Sequence, residues 1–258
     1  MEVAAFELGL LALCFLVAIA FFAGLIDSVA GGGGLLAVPA LLLVGLPPHM
    51  ALGTSKFMGT AGTTAAFITY ARNGAVVWRV AAVGAVFAFL GSAAGTGTAL
   101  RIDSAILGKV ILVLLPVAAL ITFMPKRTNA QEKPLTPLTL YVFTPLICTA
   151  IGFYDGFFGP GTGSFFLIAL HLALGLGLVA ASGTAKAFNL ASNISSLTVF
   201  LLSAKVFWLA ALPMAAASMA GNILGSRLAL RNGPAIIRKM LFISLALLFV
   251  TLVWRYYE

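Results

Sequence analysis

The sequence predicts an all-α polytopic membrane protein built from two inverted repeats, each of about five hydrophobic elements, giving eight to ten membrane helices with short broken or re-entrant ones included. Three observations carry this. Of the 258 residues 62% are hydrophobic and 9% charged, with a mean hydropathy of +1.12, whereas soluble domains are about one-quarter charged. Apolar runs at 6–26, 80–100, 106–124 and 240–254 are long enough, or nearly so, to cross a ~30 Å hydrocarbon layer, and the short alternating segments of a membrane barrel are absent. Finally, the chain contains itself twice.

The duplication is read directly. "AGLIDSVAGGGG" (23–34) aligns with "IGFYDGFFGPGT" (151–162), pairing Asp27 with Asp155, Gly31 with Gly159 and Gly33 with Gly161. After a two-residue insertion in the second copy, "TSK" (54–56) falls on "TAK" (184–186), and Trp78 on Trp208. In the same register Gly91 and Gly95 meet Gly221 and Gly225, and Lys109 meets Lys239.

The elements follow in order. The first copy, 1–124, carries them at 6–26, 35–46, 55–71, 76–98 and 105–124. A connector at 125–137, containing "EKPLTPL", leads to the second copy, 138–258, with elements at 138–157, 163–178, 186–203, 206–226 and 236–255. The run at 6–26 follows Glu2 and Glu7 rather than basic residues and lacks a cleavage site, so it is expected to stay as a membrane helix. The second element of each copy is short: twelve residues at 35–46, with Pro39 inside, rise only about 18 Å. These elements are expected to be half-helices entered from a glycine break.

Charge decides orientation. If all five elements of each copy reverse direction, one side holds Arg72, Arg79, Lys126, Arg127, Lys133, Arg227, Arg231, Arg238 and Lys239. The other holds Arg101, Lys109, Lys205 and Arg255. Basic loops stay cytoplasmic, so both termini are expected outside an inner membrane, the connector inside, and the copies inverted. Scattered in short loops, the net charge of +8 suits lipid headgroups rather than nucleic acid. Trp78 and Trp208 read as interfacial aromatics. The paired glycines have the spacing of close helix packing, and Cys14 and Cys148 are packing thiols without metal or disulfide spacing. His49, in "GLPPHM", reads as a solvated or interfacial loop residue rather than a proton relay, and His171 as a packing residue.

Four ionisable residues remain within or beside apolar elements: Asp27, Lys56, Asp155 and Lys186. Each would cost on the order of 2.5–3.5 kcal/mol at a bilayer centre, so all four must face partners or a wet cavity. Thr54 and Ser55 precede Lys56, while Lys186, Asn189 and Asn193 share one helical face. A cation among amide and hydroxyl donors suits a small oxyanion. The glycine runs, Gly31, Gly32, Gly33 and Gly34 in one copy and Gly159 and Gly161 in the other, free backbone N–H groups and open a helix toward the same place. No Gly-Lys-Ser/Thr closes either run, and no nucleophile triad or metal spacing is visible, so neither a nucleotide loop nor an enzyme is expected.

The motifs "GLIDSVAGGGGLL" with "TSK", and "GFYDGFFGPGTGSF" with "AKAFNLASN", resemble the sulfite exporter TauE/SafE family of the toluene sulfonate uptake permease superfamily, over nearly the whole chain. The resemblance implies an integral inner-membrane transporter of small sulfur-containing or organic anions, with no cofactor and no ATP-binding subunit. It places function on Gly31–Gly34, Lys56, Asp155, Gly159, Gly161 and Lys186. The first copy has no counterpart of Tyr154 and Pro160, so the halves need not contribute equally. The expected activity is secondary transport of a sulfur oxyanion or organosulfonate by alternating access. Lys56, Lys186, Thr54, Ser55, Asn189, Asn193 and the glycines would bind the anion, and Asp27 and Asp155 would serve as ion-pair or proton partners. A passive anion channel and a membrane scaffold with structural ion pairs are the alternatives; a homo-oligomer is compatible with either.

Overall fold

A computed structural model describes residues 8–123 and 135–232. Among these the chain is helical without strands. The elements are α1 (Leu10–Ala30), α2 (Gly34–Leu43), α3 (Pro48–Arg72), α4 (Trp78–Arg101), α5 (Ser104–Phe123), α6 (Thr144–Phe157, entered through a π-turn at Thr139–Phe143), α7 (Thr162–Leu172), α8 (Leu178–Leu202) and α9 (Trp208–Asn232). The expected tenth element at 236–255 and most of the connector at 125–137 lie outside the described residues.

Glycine ends the first membrane element of each copy. Gly31 takes a left-handed φ of 73° and its N–H closes on the carbonyl of Asp27, so α1 runs on through Asp27 to Ala30 rather than stopping at 26. Gly159 and Gly161 do the same work after α6, at φ 93° and 86°. α3 starts seven residues before the expected 55, and α8 eight before the expected 186. The reason at α3 is Pro48 at the first helical position, where a missing N–H costs nothing. His49 therefore lies inside a helix, buried, with Nδ1 against Ser104 Oγ at 2.9 Å and Nε2 against the Ala99 carbonyl at 3.1 Å. It is a satisfied packing residue and not a solvated one. His171 is one too, its Nδ1 2.7 Å from the Leu176 carbonyl.

Packing fixes helix directions. Where Gly91 and Gly95 of α4 meet Thr149 and Phe153 of α6, contacts advance together, so these helices are parallel. Gly221 and Gly225 of α9 meet Phe21 and Leu25 of α1 in the same way. α3 also runs with α9, from Gly53 beside Lys205 to Gly62 beside Ser218, and α4 runs with α8, from Gly84 beside Phe188 to Ser92 beside Ser192. Between α3 and α8 the order reverses: Gly53 meets Phe200, Gly59 meets Asn193, and Tyr70 meets Gly183. So α1, α3 and α9 point one way, and their repeat mates α6, α8 and α4 point the other. Matched elements are antiparallel, as two inverted copies require.

α1 and α3 are parallel and joined only by residues 31–47, so α2 must carry the chain back; α7 does so in the second copy. These are re-entrant half-helices of 10 and 11 residues, about 15 Å each. Among the described residues four helices are long and apolar enough to cross a membrane: α1, α4, α6 with its π-turn, and α9. α3 and α8, at 25 residues each, are long enough but more polar. Thr54, Lys56 and Thr63 of α3 and Lys186, Asn189, Ser192 and Asn193 of α8 are buried. Leu202, Leu209, Val113 and Tyr141 stand on the exposed surface, an apolar exterior of the kind lipid covers.

Candidate functional site

Lys56 lies eight positions after Pro48 in α3, and Lys186 eight after Leu178 in α8, so each is about 12 Å into its helix. Because α3 and α8 are antiparallel, the lysines sit on opposite sides of mid-height. Each meets the aspartate of the other copy. Lys56 Nζ is 2.8 Å from Asp155 Oδ2, and Lys186 Nζ is 2.7 Å from Asp27 Oδ2. Lys186 also donates to the Asp27 carbonyl, which thus accepts from the lysine as well as from the Gly31 N–H. The sequence leaves open which lysine meets which aspartate; inversion decides it by carrying each glycine break across to the opposite core helix.

A ladder of amides extends from Lys56. Its ammonium donates to Asn193 Oδ1 at 3.2 Å, and Asn193 Nδ2 donates to Asn189 Oδ1 at 2.6 Å. The lysine can only donate, so it sets the polarity of both amides and leaves Asn189 Nδ2 as a donor at the far end, facing Gly163.

The two breaks touch. Ser164 at the start of α7 donates to the Gly31 carbonyl from its N–H at 2.9 Å and its hydroxyl at 2.6 Å. Gly31 and Gly163 pack so closely that a side chain at either would collide with the other's backbone. Gly159 lies against the Lys56 ammonium, and a Cβ there would come within 3.1 Å of Nζ. Tyr154 Oη ties the second break by donating to the Pro160 carbonyl at 2.7 Å.

Between these parts lies a cavity of about 50 Å³. A space of about 10–15 Å³ on this measure takes one water, so the cavity holds a few heavy atoms. Of the residues expected to bind, Lys56, Ser55, Asn189, Asn193, Gly33, Gly34, Gly159 and Gly161 line it, and so does Asp27 with Asp155. Lys186 does not; it reaches the cavity through Asp27. Gly31 and Gly32 are also off the wall. Thr54 Oγ1 instead accepts from the Phe207 N–H at 3.0 Å, holding the turn into α9, and its mate Thr184 accepts from Val77 N–H at 3.0 Å before α4. Sequence reasoning missed Ser218 and Asn222 of α9, both on the wall. Their signal was present: two polar residues four apart in an apolar helix, next to Gly221 and Gly225.

The sequence model of the family described as "Sulfite exporter TauE/SafE" matches residues 16–252. A "Probable membrane transporter protein" of Haemophilus influenzae is 38% identical over 92% of this chain and 92% of its own length. "Probable membrane transporter protein ORF9" of a Sinorhizobium species is 39% identical over 91% of this chain and 90% of its own. "Probable membrane transporter protein YfcA" of Escherichia coli K12 is 33% identical over 92% and 87%. No solved structure matches.

Proposed function

This chain belongs to the sulfite exporter TauE/SafE family, and from that premise we propose that it moves a small sulfur oxyanion or organosulfonate across the inner membrane by alternating access at the interface of its repeats. That it is a multi-pass membrane transporter follows from the family, the relatives and the apolar helices together. The cargo and the mechanism are our reading. One observation supports them above the rest: the two cross-repeat ion pairs beside a cavity lined by Lys56, Asp155, Asn189 and Asn193.

Two lysines and two aspartates cancel. An anion entering this site adds an uncompensated charge in a low-dielectric setting, which is costly. Either it displaces Asp155 from Lys56, or a proton enters with it and neutralises a carboxylate. Both routes free the Lys56 ammonium, with Asn193 and Asn189 behind it, to bind oxygen atoms by charge-assisted hydrogen bonds. Because each ion pair joins the two copies, opening one side separates a lysine from its aspartate, and the bound anion takes the aspartate's place. Rocking of inverted copies about a fixed midplane site is the usual geometry of secondary transporters.

The test is flux of radiolabelled sulfite and of organosulfonates into proteoliposomes. Lys186→Ala abolishes saturable flux while the protein remains monodisperse in detergent. Undiminished flux in a folded Lys186→Ala protein would remove that lysine from the mechanism; non-saturating flux without counterflow would mark a channel.

A further inference from the structure

Asn222 is the polar residue of the cavity wall that the anion reading leaves unexplained. It is 1% exposed and lies on α9 beside Gly24 of α1 and Gly62 of α3. Its amide orientation is set by its own helix: Nδ2 donates to the Ser218 carbonyl at 2.9 Å and contacts Ser218 Oγ at 3.3 Å. Turning the amide over would put its oxygen against that carbonyl. Oδ1 is therefore left as a buried acceptor on a residue of the cavity wall, and among the described residues it has no hydrogen-bond partner. The buried Asp155 Oδ2, likewise without a hydrogen bond, is matched by Lys56 at 2.8 Å; Asn222 Oδ1 has no such cation.

The other repeat shows that this acceptor is not a requirement of the packing. Its matched position is Ser92, whose hydroxyl is saturated by the Ser192 carbonyl and Ser196 Oγ, both at 2.7 Å. There Phe188, packed on Gly84, takes the position matched to Met58, which lines the cavity.

An acceptor without a donor repels the oxygens of a simple anion. It stabilises a ligand that brings a hydrogen of its own, and a buried polar group left unpaired costs about 1–3 kcal/mol. We infer that Asn222 makes the site selective for an anion carrying its own hydrogen-bond donor: oxyanion end toward Lys56 and Asn189, and a hydroxyl or protonated oxygen toward Asn222 Oδ1. This rests on the reading of the cavity as an anion site and adds the polarity of the far end.

The experiment uses the full chain in lipid nanodiscs and two anions of the same shape, isethionate and propane-1-sulfonate, which differ by a hydroxyl in place of a methyl. Titration calorimetry on the unaltered protein gives isethionate binding tighter by about tenfold. In Asn222→Leu, and in the smaller Asn222→Ala should the first not fold, that ratio falls toward one. Equal binding of the two anions to the unaltered protein overturns the inference, because a resident water would then satisfy Oδ1 for every ligand alike. A ratio that survives both substitutions also overturns it. If both anions bind but without discrimination, the anion site stands and Asn222 drops out; if neither binds, the anion reading falls and takes this one with it.

Discussion

The buried lysines explain themselves only with their partners. Lys56 and Asp155 have side chains 7% and 3% exposed, so removing one leaves the other charged and desolvated, a change of about 3–5 kcal/mol. Replacing both by uncharged residues removes the penalty with the bond. Lys56→Met is therefore expected to lower the melting temperature sharply, and Lys56→Met with Asp155→Asn to recover most of it without recovering flux. Recovery of flux in the double variant would make the pair structural and remove it from the mechanism. Asp155→Asn alone keeps the shape of the carboxylate but cannot take a proton. If transport is proton-linked through this residue, its flux loses the pH dependence of the unaltered protein; an unchanged profile in proteoliposomes would place the proton elsewhere. The types of these residues were legible in the sequence because ionisable side chains in apolar elements stand out. Asn222 was not, since an amide carries no charge and its significance lies in which of its two atoms is already bonded.

Helix contact here depends on missing side chains. Gly95 of α4 lies against the Phe153 carbonyl of α6, and Gly156 against the Ser92 carbonyl, while Gly97, two residues from Gly95, has nothing within 4 Å of where its Cβ would be. Gly95→Ala must separate α4 from α6 and is expected to cost about 1–3 kcal/mol. Gly97→Ala is expected to stay within about 0.5 kcal/mol of the parent. Thermal melting of the two variants in one detergent checks this; equal stability would mean that α4 and α6 are further apart than their backbone contacts indicate. The small-residue spacing announced these seams, because its period matches one helix face. The starts of α3 and α8 were hidden. Hydropathy falls over 48–54, "PHMALGT", so a search by apolarity begins α3 too late, and at α8 the apolar run of α7 continues into 178–181 with only Gly175 and Gly177 to mark the break.

At the scale of the whole molecule, inversion was readable from two independent signals, repeat register and the distribution of arginine and lysine, and helix directions agree with both. The cross-copy pairing of the charges was not readable, because register shows which residues are equivalent and not which ones meet. The position of the cavity was not readable either: Met58, on its wall, stands where the other copy has Phe188. The geometry does group the loops. The α3–α4 link and the end of α9 lie at one end of the bundle, with Arg72, Arg79, Arg227 and Arg231; the α4–α5 and α8–α9 links lie at the other, with Arg101, Lys109 and Lys205. By the positive-inside rule the first group is expected on the cytoplasmic side. In a background with Cys14 replaced by serine and the buried Cys148 retained, single cysteines at Asn73 and Asn232 are expected to react with a membrane-impermeant maleimide only after cells are permeabilised. Cysteines at Asp103 and Ala204 are expected to react in intact cells. Asn73 and Asp103 flank α4 on either side, so labelling of both from the same side would deny that α4 crosses the membrane. Labelling of Asn73 and Asn232 from opposite sides would separate α3 from α9, and with them the antiparallel relation of the two copies.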